Sequence, residues 1–261
     1  MARNRGKRYR AAIAEIDRTH AYPPAEAVEL VKKTAGTKFD ESVEVHLRLG
    51  VNVRHAEEQL RGTLALPNGL GKEVTIAVFA EGDAARAAEE AGADHVGAAD
   101  LAERIEEGFS DFDVVIATPA LMGPVVSRLG RVRGPQGKMP NPKVGTVTDD
   151  VGKAVTEAKA GKVEYRTDRQ GVIHLTLGKA SFPERALLEN YAAILDEIIR
   201  AKPAASKGRY LISITLATTM GPGVPIDTTR TRESEIFAGS TAAGDDGDTD
   251  SATPAAEPAV A

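Results

Sequence analysis

The sequence predicts a two-domain protein: a doubly wound α/β domain is inserted into an antiparallel α+β domain, and an acidic tail follows. Three observations predict this class. Segments near both ends alternate apolar and polar residues, which is typical of half-buried antiparallel strands. The middle has short, continuous apolar runs between helical segments, which is typical of a parallel sheet buried on both faces. From about residue 240 the chain is too poor in aliphatic side chains to bury a core.

The alternating segments lie on both sides of the middle segment, so the simplest topology joins both ends of the chain in one domain. Residues 1–69 plus 161–230 are predicted to form this α+β domain. Residues 70–160 form the inserted Rossmann-like α/β domain, and residues 231–261 form a disordered acidic tail. The two crossings, near 68–71 and 160–162, make a hinge that is suited to opening and closing.

The N-terminal segment predicts two helices and then two strands. Residues 7–16 are helical, and Pro23-Pro24 opens a second helix to about residue 33, because proline is tolerated in a first helical turn. Residues 42–49 and 62–66 are strands, and the second ends at a turn. The inward face of the first strand is apolar and its outward face polar. The outward residues are Ser42, Glu44, His46 and Arg48.

The middle segment alternates strands and helices. The predicted strands are residues 74–80, 95–96 and 114–117, and the predicted helices are residues 83–91, 101–107 and 122–129. A closing helix spans residues 150–160, with Asp149 or Asp150 as its cap and Gly161 as its stop.

The C-terminal segment returns to alternation. Residues 163–166 and 172–177 predict a hairpin around residues 168–171. Residues 183–202 carry one apolar stripe, which predicts a long helix that ends at proline. A last strand covers residues 211–217, followed by a loop at 218–223. Its predicted buried residues are Ile212, Ile214 and Leu216.

Composition excludes several classes of protein. The chain of 261 residues has no cysteine, so disulfides, thiol catalysis and the usual zinc-ribbon ligands are excluded. Its five histidines are scattered, and no apolar run approaches a membrane span of about 20 residues. We therefore expect a soluble cytoplasmic protein without a metal, a cofactor or a membrane partner, and a monomer when free.

Charge is distributed unevenly along the chain. The formal net charge is -5, yet residues 231–261 alone hold seven acids and one base. Residues 70–160 hold ten Lys and Arg against fifteen Asp and Glu, which leaves a net charge of +6 on residues 1–69 plus 161–230. Phosphate-rich partners would be drawn to the domain that both ends of the chain form.

A basic loop rich in glycine and proline, residues 128–143, is called the signature loop below. It carries five cations and no acid, and a loop of this kind suits phosphate. It matches neither the P-loop pattern nor the dinucleotide fingerprint, so a nucleotide-binding enzyme loses its main support. The alternative is a long surface connection. Its cations are Arg128, Arg131, Arg133, Lys138 and Lys143.

Several sequence blocks, in order, resemble the ribosomal protein L1 family, the mobile stalk protein of the large ribosomal subunit. The likeness covers roughly residues 3–230. The blocks are residues 38–45, 66–72, 114–119, 122–123, 129–131, 134–143, 178–182 and 218–222. The resemblance implies a ribosome-associated protein that binds large-subunit rRNA, lies beside other large-subunit components, and moves with deacylated tRNA leaving the exit site. It also implies translational repression through an rRNA-like site on the protein's own operon mRNA.

The resemblance places the rRNA contacts on three pieces of the α+β domain. Small donors and acceptors on a rigid sheet suit the shape and 2′-hydroxyls of folded RNA, and lysine or arginine suits its phosphates. The cations of the signature loop are assigned to a secondary nucleic-acid contact or to bracing at the hinge. The predicted rRNA-binding residues are Lys38, Phe39, Ser42 and Glu44, then Asp168, Arg169, Gln170 and His174, and finally Thr218, Thr219, Met220 and Gly221.

Each assignment has a purely structural alternative. Phe39 just before a strand can be the edge of a core, Met220 can plug a turn, and His174 and Arg169 can simply be solvated. Two other functions also remain open. One is an enzyme that uses the doubly wound sheet, although no nucleophile with a base is recognisable. The other is a free-standing regulatory RNA binder.

Overall fold

The structure is a computed structural model that describes residues 6–123 and 138–237. The described part is mixed α/β, as predicted. Its helices are α1 (Lys7–Ala14), α2 (Pro24–Thr34), α3 (Asp83–Glu90), α4 (Ala99–Glu106), α5 (Pro119–Leu121), α6 (Val151–Lys159), α7 (Glu184–Arg200) and α8 (Glu233–Ile236). Its strands are β1 (Ser42–Leu49), β2 (Arg61–Ala65), β3 (Ile76–Phe79), β4 (His95–Gly97), β5 (Val114–Ala117), β6 (Lys162–Arg166), β7 (Val172–Lys179), β8 (Leu211–Thr218) and β9 (Val224–Ile226).

The largest sheet has four antiparallel strands in the order β7-β1-β8-β9, so β1 is a central strand. The strict alternation of β1 is confirmed: its four apolar residues are buried. They pack with apolar residues of α2 and α7 in one core. Because the two helices cover this face, the polar residues of β1 lie on the opposite face, where they are partly or fully exposed.

A second sheet has three parallel strands in the order β4-β3-β5. All four residues of β3 are buried, and successive ones enter different cores. Ala77 and Phe79 pack with residues of α4, while Ile76 and Val78 pack with residues of α3 and α6. The prediction of a parallel sheet buried on both faces is confirmed. So is the start of α6, where the Asp150 side chain accepts a hydrogen bond from the Lys153 N–H.

The predicted hairpin at residues 163–177 is wrong. Strand β6 pairs with β2 in a separate two-stranded sheet, and β7 pairs with β1. A single bridge, Thr167 with Ile173, links the two strands. The turn between them is present, but each strand pairs along its length with a partner distant in sequence. The turn therefore connects two sheets.

Three further expectations need correction. Ile212 is 39% exposed because the register of β8 shifts opposite the end of β1, which buries Leu211 instead. Strand β9 was missed, since its central residue is proline, and it lies at the sheet edge that tolerates one. Residue 231 is too early for the start of a tail, because Ile236 of α8 is 1% exposed and packs in the main core. Residues 238–261 lie outside the described part of the chain.

The segments near residues 69 and 161 touch each other. Gly69 and Gly161 both have positive φ, and a Cβ on Gly161 would lie 2.7 Å from the Cα of Gly69. This close approach requires glycine. The buried Asn190 amide of α7 donates to the carbonyl oxygens of Gly69 and Leu177, which fixes the first segment to the core of the four-stranded sheet.

Candidate nucleic-acid interface

The exposed face of the four-stranded sheet carries the predicted polar residues of β1 and β7. Glu44 lies between Thr176 of β7 and Ala217 of β8. His46 lies between His174 of β7 and Thr215 of β8. We call this surface the sheet face and define it by these six residues together with Ser42.

Two loops meet at the Ser42 end of β1. One precedes β1 and carries Lys38 and Phe39, and the other follows β8 and carries residues 218–221. The Ser42 N–H donates to Thr219 Oγ1 at 3.1 Å, and the Thr219 N–H donates to the Ser42 carbonyl oxygen at 3.0 Å. The structure thus brings the first and third predicted pieces together, although about 177 residues of chain separate them.

The Glu41 carboxylate joins these two loops from beneath. Its Oε1 accepts the N–H groups of Gly36 and Thr37, and its Oε2 accepts the N–H of Met220. Although burial opposes ionisation, these N–H donors hold the pKa of Glu41 below its ordinary value. The side chain is only 2% exposed, so it acts as a brace and does not face a ligand. Sequence reasoning missed it because an acid before a strand has no distinctive pattern.

The two braced loops present large apolar side chains to solvent. Phe39 is 56% exposed and Met220 is 54% exposed, so neither belongs to a core edge or plugs a turn. Lys38 beside them is also exposed. Close packing favours glycine at position 221, because a Cβ there would clash with the Oγ1 of buried Thr218. Thr218 therefore shapes the loop from inside, whereas Thr219 and Met220 are on its surface.

The second predicted piece, the turn at residues 168–171, lies at the other end of β1. The Leu49 N–H donates to the Gly171 carbonyl oxygen at 2.8 Å. Given about 3.4 Å per residue, the length of β1 separates this turn from Ser42 by roughly 24 Å. Asp168 Oδ1 accepts the N–H groups of Val172 and Gln170, which hold the pKa of Asp168 below its ordinary value. Arg169 and Gln170 are exposed at the tip.

A row of four titratable side chains connects the two ends across the sheet face. His46 Nε2 lies 3.8 Å from Glu44, and His174 Nε2 lies 3.7 Å from Asp168. The Nδ1 atoms of His46 and His174 lie 3.0 Å apart. Burial and then His174 hold the pKa of His46 below its ordinary value, while Glu44 acts in the opposite direction. His46 was noted on the polar face but was not among the predicted site residues.

The signature loop is described only from Lys138 onward. The Lys138 ammonium donates to the Phe112 carbonyl oxygen and lies 5.1 Å from the centre of the Phe112 ring. Lys138 therefore fixes the end of the signature loop to the segment that precedes β5. Arg128, Arg131 and Arg133 lie outside the described residues, and the Lys143 side chain is likewise not described. For these four cations the assignment stays a prediction.

Within residues 6–123 and 138–237, no cluster of three or more His, Cys, Asp or Glu side chains has the arrangement of a metal site. None of the helices in the same ranges is both long and apolar enough to cross a membrane.

Comparison with known proteins shows the family of the chain. The profile of the ribosomal protein L1p/L10e family matches residues 31–222, well over half of the chain. The chain belongs to this family. The matched range includes all three pieces of the candidate interface and the whole parallel sheet. Proteins of this family are structural constituents of the ribosome, so the alternative of an enzyme is set aside.

Two relatives show how far the similarity extends. The large ribosomal subunit protein uL1 of Thermobifida fusca is 58% identical over 229 residues, which cover 88% of this chain and 97% of the relative. The protein of the same name from Beutenbergia cavernae is 55% identical over 226 residues, covering 87% of this chain and 94% of the relative. The chain is therefore a ribosomal protein of the large subunit.

Proposed function

We propose that this protein binds large-subunit rRNA through the sheet face and the two loops at its Ser42 end. One observation carries the proposal: Phe39 and Met220 are exposed on loops that a single buried carboxylate, Glu41, holds together. Because the two loops are already braced through their backbone N–H groups, their backbones lose little conformational entropy when a ligand covers them.

The chemistry of the surface supports folded RNA as the ligand. RNA is recognised through its shape, its 2′-hydroxyls, its phosphates and the stacking of unpaired bases. Phe39 supplies a ring for stacking, and Thr219 and Glu44 supply acceptor oxygens for hydroxyls or base amines. Lys38 and Arg169 supply cations at opposite ends of β1. The sequence range that contains this surface also holds the positive net charge.

The wider role follows the large-subunit assignment. We propose that residues 1–69 plus 161–230 form the rRNA-binding domain and that residues 70–160 form an inserted domain connected through the Gly69–Gly161 hinge. Movement about this hinge would let the protein act as a mobile stalk in the release of deacylated tRNA from the exit site. The same surface would bind an rRNA mimic on the protein's own operon mRNA and repress its translation. The protein would then be ribosome-associated in the cytoplasm.

The test is binding of a stalk rRNA fragment by a double variant, Thr219→Ala with Met220→Val. Loss of close polar contact and packing should weaken binding by about 1 to 3 kcal/mol. The matched control is Ile199→Val, because Ile199 is also an exposed apolar residue, at 39%, but lies on α7. Equal affinity of the double variant and the control would contradict the proposal. Sedimentation with large subunits separates a stalk protein from a free-standing regulator.

A further inference from the structure

A basic surface outside the sheet face is formed by residues of β2, β6 and the end of the signature loop. It is a cleft of about 270 Å³ that we call the arginine cleft. Because ligand pockets for drug-sized molecules begin at roughly 300 Å³, a small group suits this space better than a whole nucleotide. The cleft is lined chiefly by Gln59, Leu60, Arg61, Asn141, Arg166 and Thr167.

Two arginines form one wall of the cleft. Arg61 of β2 and Arg166 of β6 are direct cross-strand partners, and like charges in that position destabilise a sheet. The Glu164 carboxylate accepts from Arg61 Nε at 2.8 Å and lies 2.7 Å from Arg61 Nη2. Arg166 is exposed and makes no salt bridge with any other residue that the structure describes. One guanidinium is thus oriented and the other keeps its donors available.

Another part of the lining comes from the end of the signature loop. Asn141 lies in this loop, and its backbone is held by Thr146, whose Oγ1 accepts the Asn141 N–H at 2.7 Å. Thr167 on the first wall is held in turn, since its N–H and its hydroxyl both donate to the Leu60 carbonyl oxygen. Among the described residues that line the cleft, none is acidic. The cleft therefore has a net positive charge, and the backbone is held at both Asn141 and Thr167.

We propose that the arginine cleft binds a backbone phosphate of an RNA strand. The guanidinium of Arg166 would supply two parallel N–H donors to the phosphate oxygens, a geometry that matches phosphate. Binding would also relieve the repulsion between the paired arginines. Because Asn141 and Arg166 lie on different segments of the chain, one phosphate would join the signature loop to β6. This inference rests on the proposed function and adds a second contact, remote from Phe39 and Met220.

The experiment compares Arg166→Gln with Arg200→Gln in the full chain. Arg200 is an exposed arginine at the end of α7, so both variants lose the same charge on an accessible side chain. Each is titrated with a stalk rRNA fragment and, separately, with deacylated tRNA over a series of salt concentrations. A third variant, Arg166→Lys, keeps the charge but removes the fork. Thermal unfolding of all variants is measured alongside.

For at least one of the two RNAs, Arg166→Gln should weaken binding roughly tenfold, as for a lost charged hydrogen bond. It should also reduce the slope of log affinity against log salt by about one. Arg166→Lys should recover the slope and only part of the affinity. The RNA that responds identifies the source of the phosphate. If Arg166→Gln behaves like Arg200→Gln with both RNAs, the inference is overturned. Failure of the wild-type protein to bind the rRNA fragment would instead contradict the proposed function.

Discussion

The two ends of β1 hold their exposed groups in different ways. At the Ser42 end, a buried carboxylate braces two loops that present Phe39 and Met220. At the other end, Asp168 organises a tight turn through bonds to its own neighbours, and the exposed tip carries Arg169 and Gln170. The first end offers apolar packing that depends on long-range contacts, and the second offers charge that depends on local ones. RNA binding should therefore respond differently to mutation and to salt at the two ends.

The largest effect is expected for Glu41→Gln. An amide has one acceptor oxygen, so it cannot accept all three N–H groups that Glu41 now accepts, and the buried donors left over cost about 1 to 3 kcal/mol of unfolding free energy. The affinity of Glu41→Gln for the rRNA fragment should fall together with its stability. Chemical denaturation and RNA titration measure both quantities.

Asp40→Asn is the control for this variant, because Asp40 is the adjacent carboxylate but is exposed. It should change both quantities much less, even though Asp40 bonds Ser181. The idea of a brace fails if the two variants lose similar amounts of stability and affinity.

Gly221, in the loop after β8, tests whether the loop conformation at the Ser42 end matters for RNA binding. In Gly221→Ala the added Cβ would clash with Thr218 Oγ1, so the loop or the buried Thr218 side chain has to shift. Overpacking of this kind costs about 1 to 3 kcal/mol. Gly6→Ala is the control, since a Cβ there meets nothing within 4 Å. Affinity for rRNA should fall in Gly221→Ala alone, and an unchanged affinity would show that the loop conformation is unimportant for binding.

The salt dependence of rRNA binding tests whether the turn at residues 168–171 contacts phosphate. Arg169→Gln should weaken rRNA binding less than the loop variants and reduce the salt slope by about one, because it removes a single exposed cation. Met220→Val should weaken binding with an unchanged slope. Affinity measured across a salt series compares the two. Equal slopes for Arg169→Gln and wild type would show that this turn does not contact phosphate.

The smallest expected effect is a pH dependence of stability and RNA affinity. It arises from His46, in the row of titratable side chains that links the two ends of β1. The pKa of His46 is below its ordinary value, so His46 takes up a proton more readily in the unfolded chain. His46 should therefore contribute stability above its ordinary pKa and lose this contribution as pH falls below it. RNA phosphates should raise its pKa, so rRNA affinity should rise a few-fold from pH 7.5 to 6.

His46→Asn tests this pH dependence. The variant should flatten the affinity profile and reduce the loss of stability in mild acid. The side chains of Glu44, His174 and Asp168 remain in both proteins, so the difference between the two profiles reports on His46 together with its interaction with His174, whose Nδ1 lies 3.0 Å away. Parallel profiles would exclude it as the titrating group.

Sequence periodicity predicted most of the fold, and it failed where pairing was decided at long range. The burial patterns of β1 and β3 agree with prediction, because strict alternation and a continuous apolar run are each visible within the strand's own sequence. The hairpin at residues 163–177 was wrong because local turn residues do not reveal which partner each strand prefers. The predicted burial of Ile212 was wrong because no sequence pattern reveals the register shift in β8.

The sequence by itself determined which side chains of β1 are polar, where the chain turns, and the family to which it belongs. Tertiary structure decided which of the predicted pieces meet. The loops at residues 36–41 and 218–221 are adjacent because β1 pairs with β8 and Glu41 accepts N–H groups from both loops. The turn at residues 168–171 lies at the far end because β7 runs antiparallel to β1. Distances between such segments depend on strand register, which comes from packing of the whole core.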